Sequence, residues 1–232
     1  MIGDTGRMIS YPAPALCQGS DVEVLLHIGS IVFPERIKRD PSENGLRIWI
    51  EGDPKDIESG IAALAQFQIV LGILRAWKTE AGQLADEQRR GLGKGSVRDE
   101  MGKQYFVLGS VISYNFPDDV EPLAVAASSG VQNSEPLRNS LWLNGRQGRT
   151  SADFYMIYEY AQRELHGTAG INAKLGLSRK LQQRLTNAAN NLSPLEGGRH
   201  ATGQVAACMT LDEQADFISD LLRSWILLYS LQ

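Results

Sequence analysis

Residues 21–33 read DVEVLLHIGSIVF, and the conformation assigned to that run decides the fold class. From 22 to 33 it is apolar and rich in β-branched side chains, interrupted by Gly29, which predicts a buried strand or a bent strand pair. Beyond it, a Pro-Ser-Glu-Asn turn leads through Gly45 into LRIWIEG, where Leu46, Ile48 and Ile50 alternate with Arg47, Trp49 and Glu51. That alternation predicts a second strand with one core face and one partly wet face. Residues 105–114 (YFVLGSVISY) return to strand composition, and 123–127 predict one more short strand.

Between these runs lies one long helix. Asp53-Pro54 supplies an N-cap and a proline at the first helical position. Ile57, Ile61, Leu64, Phe67, Leu71 and Leu74 then recur at spacings of three and four, committing one face to the core. Gly60 and Gly72 weaken the helix by about 1 kcal/mol each and mark close packing against the strands. Residues 78–103 are charged and glycine-rich, as a frayed helix running into a mobile loop would be.

Three helices are predicted toward the C-terminus. Thr150 or Ser151 caps the first, with Phe154, Ile157, Ala161 and Leu165 as its stripe before Gly167. Ser178 opens the second, with Leu181, Leu185, Ala188 and Leu192 on one face, ending at Ser193-Pro194. Thr210 and Glu213 form a capping box for the third, which carries Ala215, Ile218, Leu222, Trp225 and Tyr229. Phe217, Leu221, Leu228 and Leu231 lie beside that stripe, and so broad an apolar surface predicts burial by a second copy. The expected architecture is therefore α+β: an N-terminal sheet with one long helix in 1–127, a polar linker in 128–150, and a helical part in 151–232.

Composition narrows the function classes. The chain has 232 residues, 43% of them apolar, with a formal net charge of −4. That balance suits neither an acidic disordered tail nor a bulk nucleic-acid binder. Cys17 and Cys208 stand far apart with no CxxC pairing, which predicts reduced thiols. Residues 1–20 lack a signal-peptide pattern, and the apolar run 61–74 falls short of the ~20 residues that span a bilayer. The expectation is a cytoplasmic protein with no membrane partner.

Few segments carry chemistry. GLGKGS at 91–96 resembles a phosphate loop, but Gln88 stands where the first glycine is needed and Gly95 where Ser or Thr must follow the lysine. No HxxxH or HxH spacing among His27, His166 and His200 supports a metal site, and no cofactor is implied. Residues 190–201, NNLSPLEGGRHA, are more informative. Pro194 and Gly197-Gly198 suffice for a loop, yet Asn190, Asn191, Arg199 and His200 are gathered there as well. Arginine offers a planar fork of donors for phosphate or carboxylate, and histidine exchanges protons near neutrality. From Arg138 to Arg199 nine basic residues face four acids in a chain that is negative overall, which points to an anionic partner.

Arg184, followed by Asn187 and Asn191 at a helix end and by His200 across a loop, gives residues 151–232 a resemblance to HEPN domains of bacterial defence and toxin systems. In that family an Arg near a helix end is followed by a polar residue and, four to six residues later, by His. Pairs of such domains form metal-independent ribonucleases. Here His200 follows Arg184 at sixteen residues, so the intervening loop would have to fold back to restore the pairing. Three functions follow. The leading one is a binding protein, homo-oligomeric, whose Arg199-His200 loop contacts an anionic ligand such as RNA, with Asn187, Asn190 and Asn191 contributing. The resemblance implies instead a ribonuclease in which Arg184 and His200 are catalytic, His200 acting as general acid or base toward a 2′-hydroxyl. The third is a structural subunit.

Overall fold

The computed structural model describes residues 8–12, 20–34, 37–39, 47–51, 57–77, 96–98, 104–106, 120–146, 148–191 and 209–231. Eight α-helices fall among them: α1 (Ser20–Val32), α2 (Ile57–Trp77), α3 (Val120–Asn133), α4 (Glu135–Gly145), α5 (Ser151–Leu165), α6 (Gly167–Leu175), α7 (Arg179–Asn191) and α8 (Leu211–Leu227). A 3-10 turn, Leu228–Leu231, follows α8.

The architecture is all-α, which overturns the expected α+β fold with an N-terminal sheet. Every residue of the described core except Met209 lies on a helix. Among the described residues strand conformation is confined to pairings of three to five residues: β1 (Met8–Pro12), β2 (Ile37–Arg39) and β3 (Arg47–Glu51), then β4 (Ser96–Arg98) and β5 (Gln104–Phe106). The run that decided the sequence reading is α1. Its buried Val24, Ile28 and Val32 stand four apart, with Leu25 beside them, so helical period prevails over β-branched composition. Residues 123–127 are helical too. They lie in α3, whose alanines favour helix and whose Val120, Leu123, Ala124, Ala127 and Val131 line one buried face. The stretch 128–140, expected to lie in a polar linker, completes α3 and begins α4. Ser134 separates the two helices and caps α4, its Oγ accepting from the Leu137 N–H at 3.0 Å.

The centre of the fold is the crossing of α2 and α4. A Cβ added at Gly72 would lie 1.9 Å from the Leu141 carbonyl oxygen, and one at Gly145 would lie 1.8 Å from that of Gln68. The two helices therefore meet backbone to backbone at both glycines. Gly72 does mark close packing, but against a helix. Asn144, fully buried, seals the crossing by donating from Nδ2 to the Gly72 carbonyl at 2.9 Å. Arg75 reaches from α2 to the end of α4 and donates through Nη1 to the carbonyls of Asn144 and Arg146, both at 2.6 Å. Those carbonyls have no partner within the helix, and the cation also suits the negative end of its dipole.

The C-terminal caps agree with the sequence. Thr150 and Asp153 form a capping box on α5, and Thr210 and Glu213 form another on α8. α8 packs against α2, α3, α4, α5 and α6. Phe217, Ile218, Leu221, Leu222, Trp225 and Ile226 are all buried within the chain itself. These six residues are thus covered within the chain, while Leu228 is half-buried and Leu227 is 39% exposed. Glu164 on α5 ties the end of the chain down: it accepts from Trp225 Nε1 at 2.9 Å, from the Tyr229 hydroxyl at 2.6 Å, and from the Ser134 hydroxyl.

Candidate polyanion-binding face

α7 is anchored by a buried polar network. Gln182, almost fully buried, accepts from the Tyr158 hydroxyl at 2.9 Å and donates to the Leu177 carbonyl at 2.9 Å. Gln162 and Thr168 complete the network, linking α5, α6 and α7. Burial holds the Tyr158 hydroxyl above its ordinary pKa, so it stays a neutral donor. With Gln182, Leu185, Ala188 and Ala189 turned inward, the opposite side of α7 faces solvent.

That outer side carries Lys180, Gln183, Arg184 and Asn187, at i, i+3, i+4 and i+7. No carboxylate of its own helix interrupts it. α7 contains no Asp or Glu, and the acid-free run extends from Glu164 to Glu196, taking in α6 and Lys174. Lys174, Arg179 and Lys180 are exposed on either side of the α6–α7 turn. Their placement works against the helix. α3, α4, α5 and α8 each begin with an acid, whereas α7 begins with two cations, and a cation in the first turn costs about 0.3–1 kcal/mol. Fold stability gives no reason for these two charges.

The residues expected from the sequence divide between this face and positions beyond it. Arg184 is half-buried and donates through Nη2 to Glu213 Oε1 at 2.9 Å. Glu213 is held below the ordinary glutamate value first by the Thr210 backbone N–H and then by Arg184. Asn187 and Asn190 are half-buried on the last turns of α7, which ends at Asn191. Arg199 and His200 lie outside the described residues, and so does any distance between Arg184 and His200. Lys174, Arg179 and Lys180 are legible in the sequence only as part of its basic excess, and Gln183 not at all, although the run without acids that sets them apart is visible there.

Elsewhere, an open groove is lined by Glu121, Pro122, Val125, Ala126, Ser129, Tyr229 and Ser230. Among the described residues no group of three His, Cys, Asp or Glu side chains could hold a metal ion. No described helix is long and apolar enough to cross a membrane. No family model, no curated protein and no solved structure matches this chain.

Proposed function

We propose that this chain is a binding protein for an anionic polymer, RNA, engaged by the outer face of α7 together with the Arg199-His200 loop that follows it. One observation carries the reading. A solvent-facing helix surface built of cations and amides, with no acid on its own helix, has two unfavourable charges in its first turn. Cations at that spacing neutralise successive phosphates, while Gln183 and Asn187 offer donors and acceptors to ribose and base edges. The Arg184–Glu213 pair is exposed enough to exchange its carboxylate for a phosphate at small cost, since exposed ion pairs contribute about 0–1 kcal/mol.

Fluorescence anisotropy with labelled single-stranded RNA tests the reading. Intact RNA should be bound, and Arg184→Ala should weaken affinity and lower the salt slope by about one. RNA cleaved by the wild type but not by His200→Ala would instead favour the ribonuclease implied by the HEPN resemblance. Neither binding nor cleavage would leave the structural subunit.

A further inference from the structure

A second basic cluster stands at the α4–α5 junction, built by a different part of the fold. Arg75, Arg146 and Arg149 come together there, and the first two are engaged within the fold. Arg75 Nη1 holds the two carbonyls at the end of α4. Arg146 pairs with Asp153 Oδ1 at 2.9 Å, its guanidinium carbon 5.5 Å from the Trp142 ring centroid. Asp153 Oδ2 accepts from both the N–H and the hydroxyl of Thr150, at 2.9 Å each, so both oxygens of this carboxylate are engaged.

Arg149 differs from both. It is half-buried, and among the described residues its guanidinium makes one hydrogen bond, from Nη1 to Asn144 Oδ1 at 2.5 Å. No carboxylate pairs with it there. Its planar group lies 5.2 Å from the Phe154 ring centroid, and Asn144 is itself fixed by Gly72. The fork is thus fixed by an aromatic ring and an anchored amide, with donors to spare. Burial and then the neighbouring Arg75 charge lower its pKa to about 10, while Asp153 opposes this only in part. Next to it Gly148 has a φ of +63°, and apart from its chain neighbours no atom of the described residues lies within 4 Å of where its Cβ would stand.

We infer that Arg149, with Arg146 beside it, forms a binding site for a phosphate group, separate from the α7 face. A dianionic oxyanion can accept from the spare N–H groups of Arg149 in the bidentate geometry that guanidinium favours. It would also add to the counter-charge that Asp153 supplies only in part. The site does not depend on the RNA reading.

The probe is inorganic phosphate, added to the full chain against sodium chloride of matched ionic strength. The thermal midpoint should rise saturably, by about 3–5 °C well above the dissociation constant, because a ligand bound only by the folded state stabilises it. Arg149→Lys keeps the charge but loses the fork, and should abolish most of that rise. Arg163→Lys, an exposed arginine on α5, should keep it. Phosphate titration calorimetry on the wild type gives a reading that does not require the Arg149→Lys chain to fold. A saturable heat supports the site; its absence overturns it. A midpoint shift matched by chloride, or preserved in Arg149→Lys, also overturns it. If Arg149→Lys loses phosphate but binds RNA normally, the ligand is a free phosphate or phosphomonoester. If both fall together, the site takes a phosphate of the RNA backbone.

Discussion

α4 and α7 are helices of similar length that use their polar residues in opposite ways. α4 is enclosed: Leu137, Ser140, Leu141, Leu143, Asn144 and Gly145 are buried, and Asn144 bonds to Gly72 and Arg149 within the fold. α7 turns only Gln182, Leu185, Ala188 and Ala189 inward and leaves cations and amides facing water. Polar groups on α4 such as Asn144 answer the needs of the fold. Those on the outer face of α7, Gln183 and Lys180 above all, have no such use, and a face that violates the local charge rule without structural return is where function is to be sought.

The largest effect should come from the α4 side. Gly145→Ala places a methyl group against the Gln68 carbonyl, so the helices must separate. Denaturant unfolding should show a loss of about 3 kcal/mol, as overpacked crossings do. Asn144→Ala follows, at about 2 kcal/mol, because it strips a buried carbonyl and a half-buried guanidinium of their partner. An effect at either position no larger than at an exposed site would make the two helices equivalent and remove the contrast.

A smaller effect is expected where α7 meets α8. The Glu213 carboxyl is depressed in the folded chain, so it contributes stability above the ordinary value of 4.5 and loses it as pH falls through the lowered folded value. Glu213→Gln should therefore lower stability slightly at neutral pH, where the charged carboxylate contributes, and flatten the acid limb of the stability curve below about pH 5. An unaltered acid limb would mean that the Arg184–Glu213 pair contributes nothing. The smallest change in stability belongs to the face itself: Gln183→Ala or Asn187→Ala should stay within about 0.5 kcal/mol. A larger loss would place these amides among the structural groups.

Much of the C-terminal part is legible in the sequence because its signals are local. Thr150 with Asp153 and Thr210 with Glu213 announce their helices within four residues. Inside α7 the pattern misleads: Leu181, expected on the core stripe, is 37% exposed, while Gln182 takes the buried place. α1 and α3 read as strands because valine, isoleucine and leucine fill strands and helix cores alike. Only the fourfold spacing of Val24, Ile28 and Val32 separates the two, and it is present in the sequence. α6 is short, with Ile171 as its one buried residue, and gives little periodic signal. Arg184 and Asn187 can be singled out from residue type alone. The Arg149 cluster cannot, because the α2–α4 crossing brings Arg75 to a carbonyl 69 residues away.

The most direct test of the central claim is the salt dependence of RNA affinity in the wild type and in a chain carrying Lys174→Gln, Arg179→Gln and Lys180→Gln. If these cations neutralise phosphates, the slope of log affinity against log salt should fall by about two to three, with the thermal midpoint held or slightly raised because two cations leave the first turn of α7. No RNA binding by the wild type at low salt, or the same slope in both chains, would contradict it.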